Sequence, residues 1–143
     1  MHSELKKLVP IQLIYEEQNH GFYGGYENMI KSLGFDILVE VHDNDYQGDS
    51  RYLLRDRPSG RWGILIYGWG SCSGCDAFLA CKSYKELDDL RLSTLQSIKW
   101  QKDAKSLLEY VKEKDWDTEF FWHAKETKEF IEKIAHVLQK HTR

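Results

Sequence analysis

Between Phe35 and His42 the chain alternates: Phe35, Ile37, Val39 and Val41 interleave with Asp36, Leu38, Glu40 and His42. A period of two sends successive side chains to opposite faces, so this stretch predicts a strand with one dry face. Asp43 to Ser50 is polar, contains Gly48 and predicts a loop. Strand character resumes from Arg51 to Asp56 around Tyr52, Leu53 and Leu54. Arg57-Pro58-Ser59-Gly60 predicts a turn, with proline fixing φ and glycine tolerating positive φ. Trp62 to Tyr67, rich in aromatic and β-branched residues, predicts a third strand. Connections this short favour an antiparallel meander.

The period then lengthens. Tyr26, Met29, Ile30 and Leu33 have helical spacing, with Gly34 as a C-terminal stop. Ser83 with Glu86 three residues on matches a capping box, and Tyr84, Leu87, Leu90 and Ile98 mark the apolar stripe of the helix it opens. Ala104, Leu107, Leu108 and Val111 predict a second helix, and Phe130, Ile131, Ile134 and Leu138 a third. Glu119-Phe120-Phe121-Trp122-His123 suits a short fourth strand. The expectation is one α+β domain over residues 1–143: a three- to four-stranded antiparallel meander flanked by helices, with a helical C-terminal half.

A length of 143 residues is enough to bury a core without disulfides or metal as a precondition. With 41% hydrophobic and 30% charged residues, the chain reads as globular and not disordered. No apolar run approaches the roughly 20 residues that cross a bilayer. Leu8 to Tyr15 follows Lys6 and Lys7 like a leader, but it contains Pro10 and Gln12 and lacks a small-residue cleavage site. A cytoplasmic protein with no membrane association is therefore expected. The net charge of −3 gives no support for direct nucleic-acid binding. The acids are uneven: Asp36, Glu40, Asp43, Asp45 and Asp49 occur between Gly34 and Ser50, with no Lys or Arg among them.

All three cysteines fall in one Gly- and Ser-rich turn after the third strand, Gly68-Trp69-Gly70-Ser71-Cys72-Ser73-Gly74-Cys75-Asp76 through Ala80-Cys81. An odd number of thiols in so short a stretch speaks against a secreted disulfide scaffold, and several chemistries stay open. Cys72 and Cys75 after an apolar strand look like a thioredoxin motif, where a helix N-terminus stabilises thiolate. That fold also needs a downstream cis-proline, whereas Pro10 and Pro58 are both upstream. Cys72, Cys75 and Cys81 could supply three thiolates to Zn²⁺, with His42, Asp76 or His123 as the fourth tetrahedral ligand. A nucleophilic cysteine would need a base such as His42 or His123 and backbone N–H donors from the glycines. Each cysteine can equally be a small buried hydrophobe.

Asp43, Asp45, Gln47 and Gly48 match the early positions of a calcium loop, but Arg51 and Leu54 stand where its later ligands belong, so calcium is not expected. A meander brings the loop after the first strand and the turn after the third to one edge of the sheet. That edge is the predicted site: Asp43, Asp45, Tyr46, Gln47 and Asp49 from the loop, Trp69, Ser71 and Asp76 from the turn, and His42 beside them. Most of the aromatic residues suit a core. Phe120, Phe121 and Trp122 also suit a partner surface.

The pair Asp45-Tyr46-Gln47-Gly48-Asp49 and Gly68-Trp69-Gly-Ser-Cys-Ser-Gly-Cys-Asp76-Ala77, ending in Ala80-Cys81, resembles a family of small uncharacterised proteins from bacteria and their phages. The resemblance covers roughly Asp43 to Trp100 and is specific in the cysteine turn. It implies a small intracellular accessory protein and carries no reaction or ligand. The expected function is a binding protein acting by protein–protein contact on a host or phage partner, in its sharpest form a phage-encoded inhibitor of a bacterial defence nuclease such as a CRISPR effector. The alternative is a metal- or thiol-dependent enzyme or small-molecule binder using the cysteine turn, with Zn as its metal, and the acidic loop.

Overall fold

The computed structural model describes residues 30–31, 33–43, 48–69, 81–116 and 123–142. Strands β1 (Asp36–His42), β2 (Gly48–Asp56) and β3 (Arg61–Trp69) are followed by helix α1 (Tyr84–Ser97), strand β4 (Lys99–Gln101), and helices α2 (Ala104–Glu113) and α3 (Ala124–Lys140). The strands form one antiparallel sheet in the order β1-β2-β3-β4. This is the expected α+β meander with a helical C-terminal half.

Both faces of the sheet are covered, which is why Tyr52, Leu53 and Leu54 are all fully buried in a row. One face carries Val39, Val41, Leu53, Trp62 and Ile64 against Leu107 and Val111 of α2 and Phe130, Ile134 and Leu138 of α3. The other carries Tyr52, Leu54 and Leu65 with Ile30 and Ile98. The first strand departs from simple alternation. Its register passes from Ile37 opposite Leu54 to Val39 opposite Leu53, leaving Leu38 as the extra residue of a bulge. One inserted residue reverses the parity of a strand. Phe35 and Ile37 therefore pack on the Tyr52 face, while Val39 and Val41 pack under the helices.

Three boundaries differ from expectation. The segment 43–50 is not all loop, because β2 begins at Gly48, paired with Trp69 of β3. Helix α1 stops at Ser97: Ile98 turns to an extended conformation and buries itself in the Tyr52-face core. The fourth strand is Lys99–Gln101, whose Trp100 pairs with Gly63 and meets Phe35 edge-on at 4.8 Å. Gly63 is required there, since a Cβ would stand 2.7 Å from both Ile98 Cγ2 and Trp100 Cε3. Of the strand expected at 119–123, only His123 is described, and it is the N-cap of α3.

The cap of α1 follows its sequence signal. Ser83 accepts from the Glu86 backbone N–H at 3.2 Å, while the Glu86 carboxylate takes the Lys82 N–H and not that of Ser83, a one-residue variant of the expected box. Asp103 caps α2 through the Ser106 N–H at 2.8 Å. Gly34, with φ of 94°, closes the helical turn that contains Ile30. No helix of the described residues is long and apolar enough to cross a membrane.

Candidate functional site

The meander brings the C-terminal ends of β1 and β3 and the start of β2 to one end of the sheet, as the register of Gly48 with Trp69, Asp49 with Gly68, and His42 with Ser50 shows. Asp43 leaves β1 there and is fully buried, as is Arg51. The Arg51 guanidinium donates from Nη1 to Asp43 Oδ1 at 2.8 Å, and the Asp49 backbone N–H donates to Asp43 Oδ2 at 2.7 Å. The Asp43 N–H in turn donates to the Asp49 carbonyl at 3.0 Å. Asp43 thus clamps both ends of the segment 44–47. Gly48 makes the clamp possible, because a Cβ at that position would lie 2.6 Å from Asp43 Cβ.

Burying two opposite charges costs several kcal/mol of hydration per ion, and their attraction offsets this only with good geometry. Here the geometry is good on one side of the pair. Both Asp43 oxygens accept hydrogen bonds, whereas Nε and Nη2 of Arg51 have no partner. A fully apolar packing would avoid that penalty, so the pair reads as a device that fixes where the chain goes.

His123 joins this group from the helical layer. It holds φ of 57°, the one positive value among the described non-glycine residues, in a left-handed region that histidine tolerates better than most. Its Nε2 lies 3.7 Å from Asp43 Oδ2 and its Nδ1 lies 3.7 Å from Glu126 Oε2. The ligand atoms of Asp43, His123 and Glu126 lie within 4.8 Å of one another, close enough to share an ion. The ring presents opposite nitrogens to the two carboxylates, however, and Asp43 is already engaged by Arg51 and the Asp49 N–H. The trio fits a carboxylate–imidazole–carboxylate bridge tying the start of α3 to the end of β1 better than a cation cage.

Asp49 is half-buried at the same end. Burial pushes its carboxyl above the ordinary range; Arg51 pulls it down, Asp43 pushes it up and His123 pulls it down. Burial prevails, so Asp49 holds a proton more readily than a surface aspartate.

Of the predicted site residues, Asp43 and Asp49 meet as expected. His42 does not join them. Opposite Ser50 in the register, it lies on the other face of the sheet, where Nδ1 and Ser50 Oγ are 2.7 Å apart and the ring meets Tyr52 edge-on at 5.6 Å. Its Nε2 is 3.5 Å from Glu40. Strand alternation separates His42 from its chain neighbour Asp43. Cys81 is buried ahead of α1, and it forms no shared-ion group with His42 among the described residues. Asp45, Tyr46, Gln47, Ser71, Cys72, Cys75, Asp76 and the side chain of Trp69 lie outside the described residues.

Arg51, His123 and Glu126 were not singled out as one group with Asp43. Arg51 had a legible signal: it stands two residues before Leu53, on the core parity of a central strand, where a cation demands a buried anion. His123 and Glu126 are three apart at a helix start and so share a face, but nothing local aims that face at Asp43.

Beside Asp49 a cavity of about 280 Å³ opens between the far half of β3 and the end of α2, lined in part by Ile66, Gly68, Tyr110 and Trp116. No family model, curated protein or solved structure matches this chain.

Proposed function

We propose that the protein is a small binding protein that acts by protein–protein contact, presenting the segment between Asp43 and Asp49 to its partner. The observation that supports this is the clamp itself: a fully buried ion pair and two backbone hydrogen bonds hold both ends of a four-residue polar segment. Contact residues commonly sit on loops carried by a rigid scaffold, and fixing the two ends of a segment reduces the freedom it has left to lose on capture. Each Asp43 oxygen accepts a hydrogen bond, from Arg51 and from the Asp49 N–H, which suits it to holding the chain. In its finer form, drawn from the resemblance to bacterial and phage sequences, the partner is a bacterial antiviral nuclease such as a CRISPR effector.

The test is co-elution of the full chain with candidate nucleases, alongside nuclease activity with and without the protein. Tyr46→Ala and Gln47→Ala are expected to abolish capture with an unchanged circular dichroism spectrum. Full capture by both variants would refute the contact segment. Uninhibited activity across CRISPR effectors at saturating protein would remove the nuclease-inhibitor form.

A second reading, a metal- or thiol-dependent enzyme, draws support from Gly68 lining the cavity only four and seven residues before Cys72 and Cys75 in the sequence. Metal content of the purified protein with a thiol titration separates the two. One equivalent of Zn with masked thiols favours a metal-stapled turn; reactive thiols without metal favour redox or nucleophilic chemistry.

A further inference from the structure

Helix α3 carries a charged stripe that the core does not use. Glu129, Glu132, Lys133 and His136 stand at i, i+3, i+4 and i+7, so they share one face of the helix. All four are exposed. Twice an acid precedes a base by four residues, yet none of the four has an ion-pair partner among the described residues. They form one wall of a groove of about 540 Å³ whose other wall is β1, with Leu38, Val39 and Val137 as its apolar lining. β1 ends the strand order among the described residues, and Leu38, the extra residue of its bulge, is 38% exposed. Glu40, the remaining charged group of the lining, lies 3.5 Å from His42 Nε2.

The order of the charges decides the occupant. Along the stripe two acids come first and two nitrogen bases follow. Glu129 and His136 lie equally far from the midpoint of Glu132 and Lys133, on opposite sides of it. The stripe therefore matches itself when turned end for end. A two-fold axis through that midpoint sets Glu132 against Lys133 and Glu129 against His136 of an antiparallel copy, each contact made twice. We propose that the groove binds a second copy of this chain, with the two α3 helices crossing between Glu132 and Lys133 and Leu38 covered at the rim. Lys125 and Lys140 are also equidistant from the axis, and there the charges are alike. At about 1.5 Å per residue they lie about 11 Å from the axis along the helix, and a crossing of about 50°, the commonest class, carries them apart. The proposal uses no residue of the segment between Asp43 and Asp49, so dimerisation and capture of a protein partner can fail independently.

The experiment is sedimentation equilibrium of the full chain, with the concentration raised to about 1 mM. A reversible monomer–dimer equilibrium is expected, weakened by added salt. Glu132→Lys sets lysine against lysine at both symmetry-related contacts, and Lys133→Glu sets acid against acid. Each should weaken dimerisation about tenfold, because two exposed attractions become repulsions. Both residues are exposed, so the fold should survive either change. An equimolar mixture of the two variants should recover association as a heterodimer, since every opposed pair is then acid against base. The doubly exchanged chain, Glu132→Lys/Lys133→Glu, should recover it as well. Any of three results would overturn the proposal: the parent sediments as a monomer up to about 1 mM, both single variants dimerise like the parent, or neither the mixture nor the double exchange restores association.

Discussion

Replacing Arg51 with methionine removes a fully buried cation while keeping most of its apolar volume. The Asp43 carboxylate would then be left in the same dry place, with the Asp49 N–H at 2.7 Å and the His123 ring at 3.7 Å as its polar neighbours. Breaking one side of a buried pair typically costs about 3–5 kcal/mol, because the surviving charge is uncompensated. The lower end applies here, since the substitution also retires the unpartnered Nε and Nη2 of Arg51, whose burial is itself unfavourable. A loss of about 3 kcal/mol lowers Tm by about 6–12 °C for a chain near this size. With a urea slope of about 2 kcal/mol/M, the midpoint falls by about 1.5 M. Tryptophan fluorescence follows the transition. The double variant Asp43→Asn/Arg51→Met buries no charge, and its amide carbonyl still accepts the Asp49 N–H. It should be less damaging than the two single costs combined, by about 2 kcal/mol. A cost below about 1 kcal/mol for Arg51→Met, or single costs that simply add, would show that the pair is not the buried clamp described.

Gly48→Ala forces a Cβ to within 2.6 Å of Asp43 Cβ, so it should destabilise by about 1–3 kcal/mol and weaken partner capture together with stability, as melts and co-elution would reveal. Asp49 holds its proton more tightly when folded, so its contribution to stability is complete in acid and is lost as pH rises through its elevated pKa. Asp49→Asn should therefore stabilise at neutral pH and flatten the dependence between the ordinary carboxylate range and neutrality. A neutral-pH loss in urea melts would reverse the sign of this reasoning. Ser83→Ala removes the N-cap acceptor of α1 and should cost about 1 kcal/mol; an unchanged urea midpoint would show that the Glu86 carboxylate carries the cap alone.

The elements were legible because their causes are local. Alternation at Val39 and Val41, the Pro58-Ser59-Gly60 turn, the cap at Ser83 and the stripe Phe130-Ile134-Leu138 each rest on residues within a few positions of one another. The meander placed Asp43 and Asp49 at one end of the sheet for the same reason: three strands with short connections have few other arrangements. Even there, Leu38 shows the limit. A bulge depends on what the neighbouring strand places opposite it, and one extra residue sent Ile37 and Val39 to different faces.

Sequence by itself thus determined the first three strands, the turn and the helical C-terminal half, and marked one end of the sheet as rich in acids, but it did not find the fourth strand at Lys99–Gln101. Tertiary structure alone decided which charged groups meet. Asp43 finds Arg51 across the β1–β2 pairing, and His123 reaches Asp43 from a helix eighty residues away in the chain. It also decided that His42, next to Asp43 in sequence, faces the other way. Backbone preferences act over a few residues, whereas the energy of a buried charge depends on every group packed around it, and that surrounding forms only when distant segments come together.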